Sequence, residues 1–156
     1  MPGYFLDTST LAKLYHQEPG SDYVERILNE QSSKGIISRL SLVEFESVLG
    51  DKGSGVLDPT GRTIALRRFR ADIAGNRIIV GPSIEEKHFQ SAARLLRAYA
   101  VDPGLRTLDG IQLAVAFDLR QAAWISVLIS SDQRLCAVAE LCGCPALDPA
   151  NPGLVL

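Results

Sequence analysis

The segment spanning residues 106–119, RTLDGIQLAVAFDL, is the feature that most restricts how this chain folds. Its last nine residues contain only Gln112 and Asp118 as clearly polar side chains. A helix that is apolar on nearly every side is normally buried between other layers of a protein. Asp109 therefore stands at the start of a buried helix, where a carboxylate needs backbone N–H groups, a cation or a metal. A simpler interpretation stays open, in which Thr107 caps the helix and Asp109 only complements the helix dipole.

The chain length and composition predict one globular domain over residues 1–156. A chain of 156 residues that is 46% hydrophobic can bury one sizeable core but is short for two domains. The sequence has neither a basic, apolar leader nor a run of about 18 apolar residues. We therefore expect a cytoplasmic protein that is neither exported nor inserted in a membrane.

Cysteine and histidine usage argues against zinc and against histidine catalysis. The three cysteines lie close together near the end of the chain: Cys136, Cys142 and Cys144. No histidine is near them, so free buried thiols in a reducing cytoplasm are expected rather than a zinc site. His16 lies in a polar turn and His88 on a charged helix face, and both are expected to be exposed. A histidine general base is therefore poorly supported.

Short apolar runs alternate with helical patterns along the whole chain. The predicted strands cover residues 4–6, 35–38, 77–82 and 126–132, with a short edge strand at 145–147. Helices are predicted between them, and turn-forming residues 50–61 predict a mobile loop. This alternation predicts an α/β domain whose mainly parallel sheet is covered on both faces.

Four acids are predicted to gather at one edge of this sheet. Crossover helices start at the carboxyl edge of a parallel sheet, which is where open α/β sheets bind ligands. The acids that follow strands or open helices there are Asp7, Glu44, Asp109 and Asp132. Capping can explain each acid separately, and Ser41 with Glu44 has the spacing of a capping box.

Capping does not explain why the four acids share one edge with few basic residues nearby. Two carboxylates about 5 Å apart repel by roughly 3 kcal/mol at an effective dielectric near 20, so four ionised together require cations. The neighbouring hydroxyls are those of Thr8, Ser9, Ser130 and Ser131. Hard oxygen ligands without histidine or cysteine favour Mg²⁺ or Mn²⁺ over zinc.

The segments that carry these acids resemble those of PIN-domain ribonucleases, specifically the VapC-type toxins of bacterial toxin-antitoxin pairs. The segments are LDTSTLAKLY, SLVEFESVL, LRTLDGIQLA and SSDQRL, and they occur in the family's order over almost the whole chain. The resemblance implies a three-layer α/β/α domain with a mainly parallel sheet of four to five strands. Gly110 departs from the family, which usually has alanine there.

The resemblance also implies an activity, a set of site residues and partners. Members hydrolyse RNA with Mg²⁺ or Mn²⁺ held by the four acids, while Ser9 and Ser130 occupy the places of supporting hydroxyls. The expected partners are an RNA substrate, a VapB-type antitoxin whose C-terminal segment lies in the active-site groove, and a second copy of the chain in a homodimer. We expect Asp7 to be the ligand shared between ions if two are bound.

An arginine-rich stretch from residue 62 to residue 77 contains Asp72 as its single acid. The arginines are Arg62, Arg67, Arg68, Arg70 and Arg77. Such a run is usually a solvated helix face, but arginine also suits phosphate contacts. We predict that the first four of these arginines contact the RNA backbone.

Two other functions use the same acids. A magnesium-dependent phosphatase resembling haloacid dehalogenases would use Asp7 as its nucleophile and needs a second aspartate where Ser9 stands. A phosphoacceptor receiver, or a purely binding module, is the other alternative. Receivers need a lysine late in the chain, and none follows Lys87. Manganese-dependent cleavage of RNA, with and without a chelator, separates the three.

Overall fold

The computed structural model describes residues 3–50 and 58–154. Its strands are β1 (Gly3–Leu6), β2 (Lys34–Ile37), β3 (Ile78–Val80), β4 (Val127–Ile129) and β5 (Ala146–Leu147). Its α-helices are α1 (Thr8–Lys13), α2 (Ser21–Asn29), α3 (Leu40–Gly50), α4 (Pro59–Ala74), α5 (Glu86–Tyr99), α6 (Thr107–Gln121) and α7 (Gln133–Leu141). A short 3-10 helix spans Pro152–Leu154.

The five strands form one sheet in the order β3-β2-β1-β4-β5. Every pairing is parallel, and Phe5 of the central strand lies opposite Ile36 on one side and Leu128 on the other. The predicted α/β class and parallel sheet are confirmed. From β1 the chain adds β2 and β3 on one side and β4 and β5 on the other, so the order reverses between β1 and β4. That position is where such sheets bind ligands.

Side chains alternate across the strands and build a separate core on each face of the sheet. Phe5, Ile36 and Leu128 join one core with α6 and α7. The next residue of each strand points the other way into a core shared with α1 to α4: Leu6, Ile37 and Ile129. Both faces are therefore covered, which is the three-layer α/β/α arrangement that was predicted.

Helix α6 is buried as its apolar sequence predicts. Leu113, Val115 and Ala116 are fully enclosed in the core. Gly110 faces α5, where an added Cβ would lie 3.3 Å from Leu96 Cγ. The glycine that departs from the family pattern thus allows α5 to pack closely against the start of α6.

Several predicted boundaries and exposures differ in the structure. The N-cap of α6 is Arg106 without a side-chain cap, so Thr107 does not cap the helix. Gly50 belongs to α3 and residues 59–61 belong to α4, so both ends of the predicted loop at residues 50–61 are helical. Residues 51–57 of that prediction lie outside the described part. Within the described ranges, no helix is both long and apolar enough to span a membrane.

His88 is buried, contrary to the prediction that it is exposed. It is 2% exposed and completes a capping box with Glu85, whose backbone N–H donates to His88 Nδ1 at 2.9 Å. Because Nδ1 accepts, Nε2 carries the proton and donates to Asp118 Oδ2 at 2.9 Å. The ring joins α5 to α6 and has a structural role. The three cysteines are free, as predicted, but only Cys144 is buried, since Cys136 is half-buried and Cys142 is exposed.

Asp118→Asn is expected to lower the free energy of unfolding by about 1 kcal/mol at pH 7. Hydrogen bonds from His88 and then Lys87 lower the pKa of Asp118. A carboxyl group with a lowered folded-state pKa contributes stability above its unfolded pKa and loses it as the pH falls. The difference between the variant and the parent chain should therefore shrink below about pH 4. Urea unfolding at several pH values measures it, and equal stability at pH 7 would contradict this role.

Candidate active site

Asp7 follows β1 directly and lies at the centre of the sheet's carboxyl edge. Its Oδ1 accepts hydrogen bonds from the Thr10 backbone N–H at 2.9 Å and the Ser9 hydroxyl at 2.7 Å. Its Oδ2 accepts from the Ser130 hydroxyl at 2.5 Å. Asp7 is 5% exposed, and burial raises its pKa although these three donors act in the opposite direction. A nearby cation would therefore stabilise its ionised form.

Glu44 reaches the same edge from α3. Its Oε1 accepts hydrogen bonds from the Thr8 hydroxyl at 3.0 Å and from Gln112 Nε2 at 2.8 Å. The predicted capping box with Ser41 is wrong, because α3 begins one residue earlier, at Leu40. The buried Ser41 hydroxyl instead contacts Thr8 Oγ1 and Gln112 Nε2, both at 3.0 Å. Glu44 is thus tied to α1 and α6.

Gln112 is the polar centre of this edge, and sequence reasoning assigned it no role. It is 2% exposed, and its Nε2 donates to Glu44, Ser41 and Thr8. Its Oε1 accepts from the Ser38 hydroxyl at the end of β2 at 2.9 Å. In the sequence, a single glutamine within the apolar run of α6 indicates a buried polar side chain that needs hydrogen-bond partners. Gln112 therefore connects three helices and a strand behind Glu44.

Asp132 caps α7, and Asp109 lies in the first turn of α6. Asp132 Oδ1 accepts from the backbone N–H groups of Arg134 at 2.9 Å and Leu135 at 3.3 Å. Burial is the main cause that raises the pKa of Asp109, the charges of Asp132 and Asp7 add to it, and Arg106 opposes it. These effects place Asp109 within electrostatic reach of the other two aspartates.

Arg106 pairs with both of these acids and was not predicted to do so. Its Nε lies 3.1 Å from Asp109 Oδ2, and its Nη2 lies 3.0 Å from Asp132 Oδ2. The expectation that few basic residues lie near the four acids therefore holds for Asp7 and Glu44 but not for Asp109 and Asp132. Among the residues that the structure describes, Arg106 is the only cationic side chain paired with any of the four acids.

All four predicted acids line one cavity of about 360 Å³. Arg106 and Gln112 share its wall, and Val48 and Leu49 form an apolar side. His16 also reaches the wall, so this half-buried histidine is less exposed than predicted. Ser9, which also lines the cavity, and the buried Ser130 both donate a hydroxyl hydrogen bond to Asp7. The acids come from four separate segments and yet face the same space.

The donor set fits a hard divalent cation in its chemistry. Four carboxylates with hydroxyl neighbours are ligands of the type that Mg²⁺ and Mn²⁺ prefer, and Asp7 is buried where a cation would offset its charge. Within residues 3–50 and 58–154, however, no three His, Cys, Asp or Glu side chains are close enough together to hold an ion. Two of the four acids are paired with Arg106.

The arginines of the arginine-rich stretch divide into those that contact other parts of the chain and those that do not. Arg68 donates to the Leu14 carbonyl at 3.1 Å and lies over the Tyr15 ring, and Arg77 pairs with Glu25 at 2.6 Å. Arg62 packs beside Gly50 at the end of α3. The remaining two are exposed and make no hydrogen bond or ion pair with another described side chain: Arg67 and Arg70.

Comparison with known proteins supplies the family. The profile of the PIN domain matches residues 4–141. The chain belongs to the PIN-domain family. PIN domains are generally nucleases that use divalent metal ions. No curated protein sequence matches the chain significantly.

Two solved structures share the PIN fold of this chain at low sequence identity. FitAcB from Neisseria gonorrhoeae has a TM-score of 0.60 and 18% identity, over 94% of this chain and 97% of that one. PAE2754 from Pyrobaculum aerophilum has a TM-score of 0.50 and 20% identity, over 88% of this chain and 84% of that one. At these identities the likeness concerns the fold alone.

Proposed function

We propose that this PIN-domain protein is a Mg²⁺- or Mn²⁺-dependent endoribonuclease. The observation that carries the proposal is the single cavity lined by Asp7, Glu44, Asp109 and Asp132 at the point where the strand order reverses. Membership of a family of nucleases supports the reaction class. RNA as the substrate and the choice of Mg²⁺ or Mn²⁺ are part of the proposal.

The four acids would hold the metal, and the surrounding groups prepare them for it. When bound, Mg²⁺ or Mn²⁺ supplies the Lewis acidity that makes water a nucleophile at neutral pH and that offsets the charge of the phosphate. The hydroxyls of Ser9 and Ser130 fix both oxygens of Asp7, so the carboxylate is oriented before any ligand arrives. Gln112 and Thr8 orient Glu44 in the same way. Hydrolysis would leave a 5′ phosphate and a 3′ hydroxyl.

The cleavage assay uses the purified chain and a mixed single-stranded RNA pool, with Mn²⁺ or Mg²⁺ and with excess chelator. We expect cleavage with either metal and none with chelator, because without a metal ion nothing lowers the pKa of water enough to make it a nucleophile at neutral pH. The same preparation is offered a general phosphatase substrate. Phosphate release without RNA cleavage would favour the phosphatase alternative, and binding of metal without either activity would favour a binding module.

The exposed arginines of α4 are proposed to contact the RNA backbone. Arg67→Gln with Arg70→Gln should weaken RNA binding and lower the slope of log affinity against log salt by about 1.4, or about 0.7 per lost phosphate contact. Protein stability should not change, because both side chains are exposed and neither forms a hydrogen bond or an ion pair with another described side chain. The matched control is Arg94→Gln with Arg97→Gln on α5, in the other helix layer. Equal losses in both double variants would contradict a binding face on α4.

We also propose that the chain is the toxin of a VapBC-type pair, with a VapB-type antitoxin and a homodimeric state. The motif resemblance supports this role, and the open acidic cavity is suited to an inhibitory segment that carries basic residues. Induction in bacterial cells should arrest growth with the parent chain and not with an Asp7→Asn variant. Normal growth with the active parent chain would argue against the toxin role. Sedimentation of the purified chain reports its oligomeric state.

A further inference from the structure

Arg106 forms ion pairs with two of the four acids that are proposed to bind the metal. Its guanidinium contacts Asp109 Oδ2 at 3.1 Å and Asp132 Oδ2 at 3.0 Å, and both acids line the candidate cavity. One side chain thus bridges the acid of α6 and the acid of α7. Because a guanidinium has several donors in a rigid plane, it can hold two carboxylates at once.

The ion pairs of Arg106 are exposed enough for a divalent ion to replace them. The side chain is 70% exposed, whereas the side chains of Asp109 and Asp132 are 19% and 21% exposed. Its backbone is fixed at the N-cap of α6, so the side chain can swing while its origin stays at the cavity. A divalent ion and a guanidinium repel each other, so both cannot lie against the same carboxylate oxygens at low cost.

We propose that Arg106 is a built-in counter-ion for Asp109 and Asp132, and that a divalent metal binds by displacing it. This inference rests on the proposed metal-dependent function. Arg106 neutralises two of the four acids in the metal-free protein and raises the metal concentration that the site requires. Arg106 pairs with two of the four acids that line the cavity, so a metal that binds these two acids has to replace both ion pairs.

The test is a Mn²⁺ titration of the full chain, with binding followed by the electron paramagnetic resonance signal of free Mn²⁺. Arg106→Gln should bind Mn²⁺ about tenfold more tightly than the parent chain, which is what the loss of two exposed ion pairs amounts to. The control is Arg134→Gln, because the Arg134 side chain lies beside Gly104 and has no ion pair in the described residues. It should bind Mn²⁺ like the parent.

Unchanged or weaker binding by Arg106→Gln would overturn the inference, as would an equal gain in Arg134→Gln. RNA cleavage by the same preparations separates this inference from the proposed function. A parent chain that cleaves RNA with Mn²⁺ while Arg106→Gln gains no affinity contradicts the role of Arg106 alone. Absence of Mn²⁺ binding in both proteins contradicts both proposals.

A second measurement follows Arg106 in the parent chain and uses a variant only to assign its resonance. In ¹⁵N-labelled parent chain, the Nε–H resonance of Arg106 is identified by its loss in Arg106→Gln or, should that variant not fold, in Arg106→Lys. Saturation with Mg²⁺ should shift or broaden this resonance, because the hydrogen bond to Asp109 is lost. The Arg134 resonance should stay in place. An Arg106 resonance that is unchanged at saturating Mg²⁺ would overturn the inference.

Discussion

Asp7→Asn is expected to abolish RNA cleavage and to leave the fold intact. The side-chain oxygen of asparagine can accept hydrogen bonds from the Thr10 N–H and the Ser9 hydroxyl. Its amide nitrogen can donate to the hydroxyl oxygen of Ser130. It lacks the negative charge that a divalent ion requires. We expect the cleavage rate to fall at least about 10³-fold, the effect of losing several kcal/mol of charge stabilisation in the transition state.

The same variant should be no less stable than the parent chain in metal-free buffer. Burial raises the pKa of Asp7, so the folded state favours the protonated carboxyl group more than the unfolded state does. Ionised Asp7 therefore costs stability at pH 7, and that cost is absent for a neutral asparagine. Thermal unfolding with a chelator measures this, and exposed Asp22→Asn is the control for both assays. An Asp7→Asn protein that still cleaves RNA would remove Asp7 from the site.

Gln112→Leu should be the most damaging change among the residues of the cavity wall other than the four acids. Leucine matches the volume of glutamine approximately but leaves Thr8, Ser38, Ser41 and Glu44 without their common partner. Buried polar groups without partners are costly, so the free energy of unfolding should fall by about 2–4 kcal/mol. Urea unfolding measures this loss.

The activity of Gln112→Leu separates positioning from simple destabilisation. If Gln112 orients Glu44 for metal binding, the folded variant should cleave RNA about 10–100-fold more slowly and need more Mn²⁺ for half-maximal activity. The matched control is Gln121→Leu, because Gln121 is an exposed glutamine at the end of the same helix. A folded Gln112→Leu protein with the metal dependence of the parent would limit Gln112 to stability.

Much of the fold is predictable because its determinants are local. Each central strand places one apolar residue on each sheet face, as Phe5 and Leu6 do, and helices follow at turn and cap residues. The positions of Asp7 and Asp132 also follow, since Asp7 comes directly after β1 and Asp132 follows β4 after two serines, both at the carboxyl edge. Their convergence then depends only on the parallel order of the strands.

The rest of the site depends on contacts between distant segments. Gln112 and Glu44 are 68 residues apart, and nothing local to either residue encodes their hydrogen bond. The start of α3 was misplaced because the Ser41 hydroxyl is bound by Thr8 and Gln112 instead of the helix backbone. His88 looked exposed because its partner Asp118 lies on another helix. The role of Arg106 is not predictable from the sequence, because its ion pair with Asp132 forms only when the starts of α6 and α7 lie side by side.

The most direct test of the account is crystallographic location of Mn²⁺ in the protein by anomalous scattering. Crystals of the metal-free chain are soaked in Mn²⁺, and data are collected where manganese scatters anomalously. We expect an anomalous-difference peak in the cavity, about 2.2 Å from a carboxylate oxygen of Asp7 and from a carboxylate oxygen of at least one of the other three acids. A cavity without a peak in crystals that bind Mn²⁺ elsewhere, or a peak that touches none of the four acids, would contradict it.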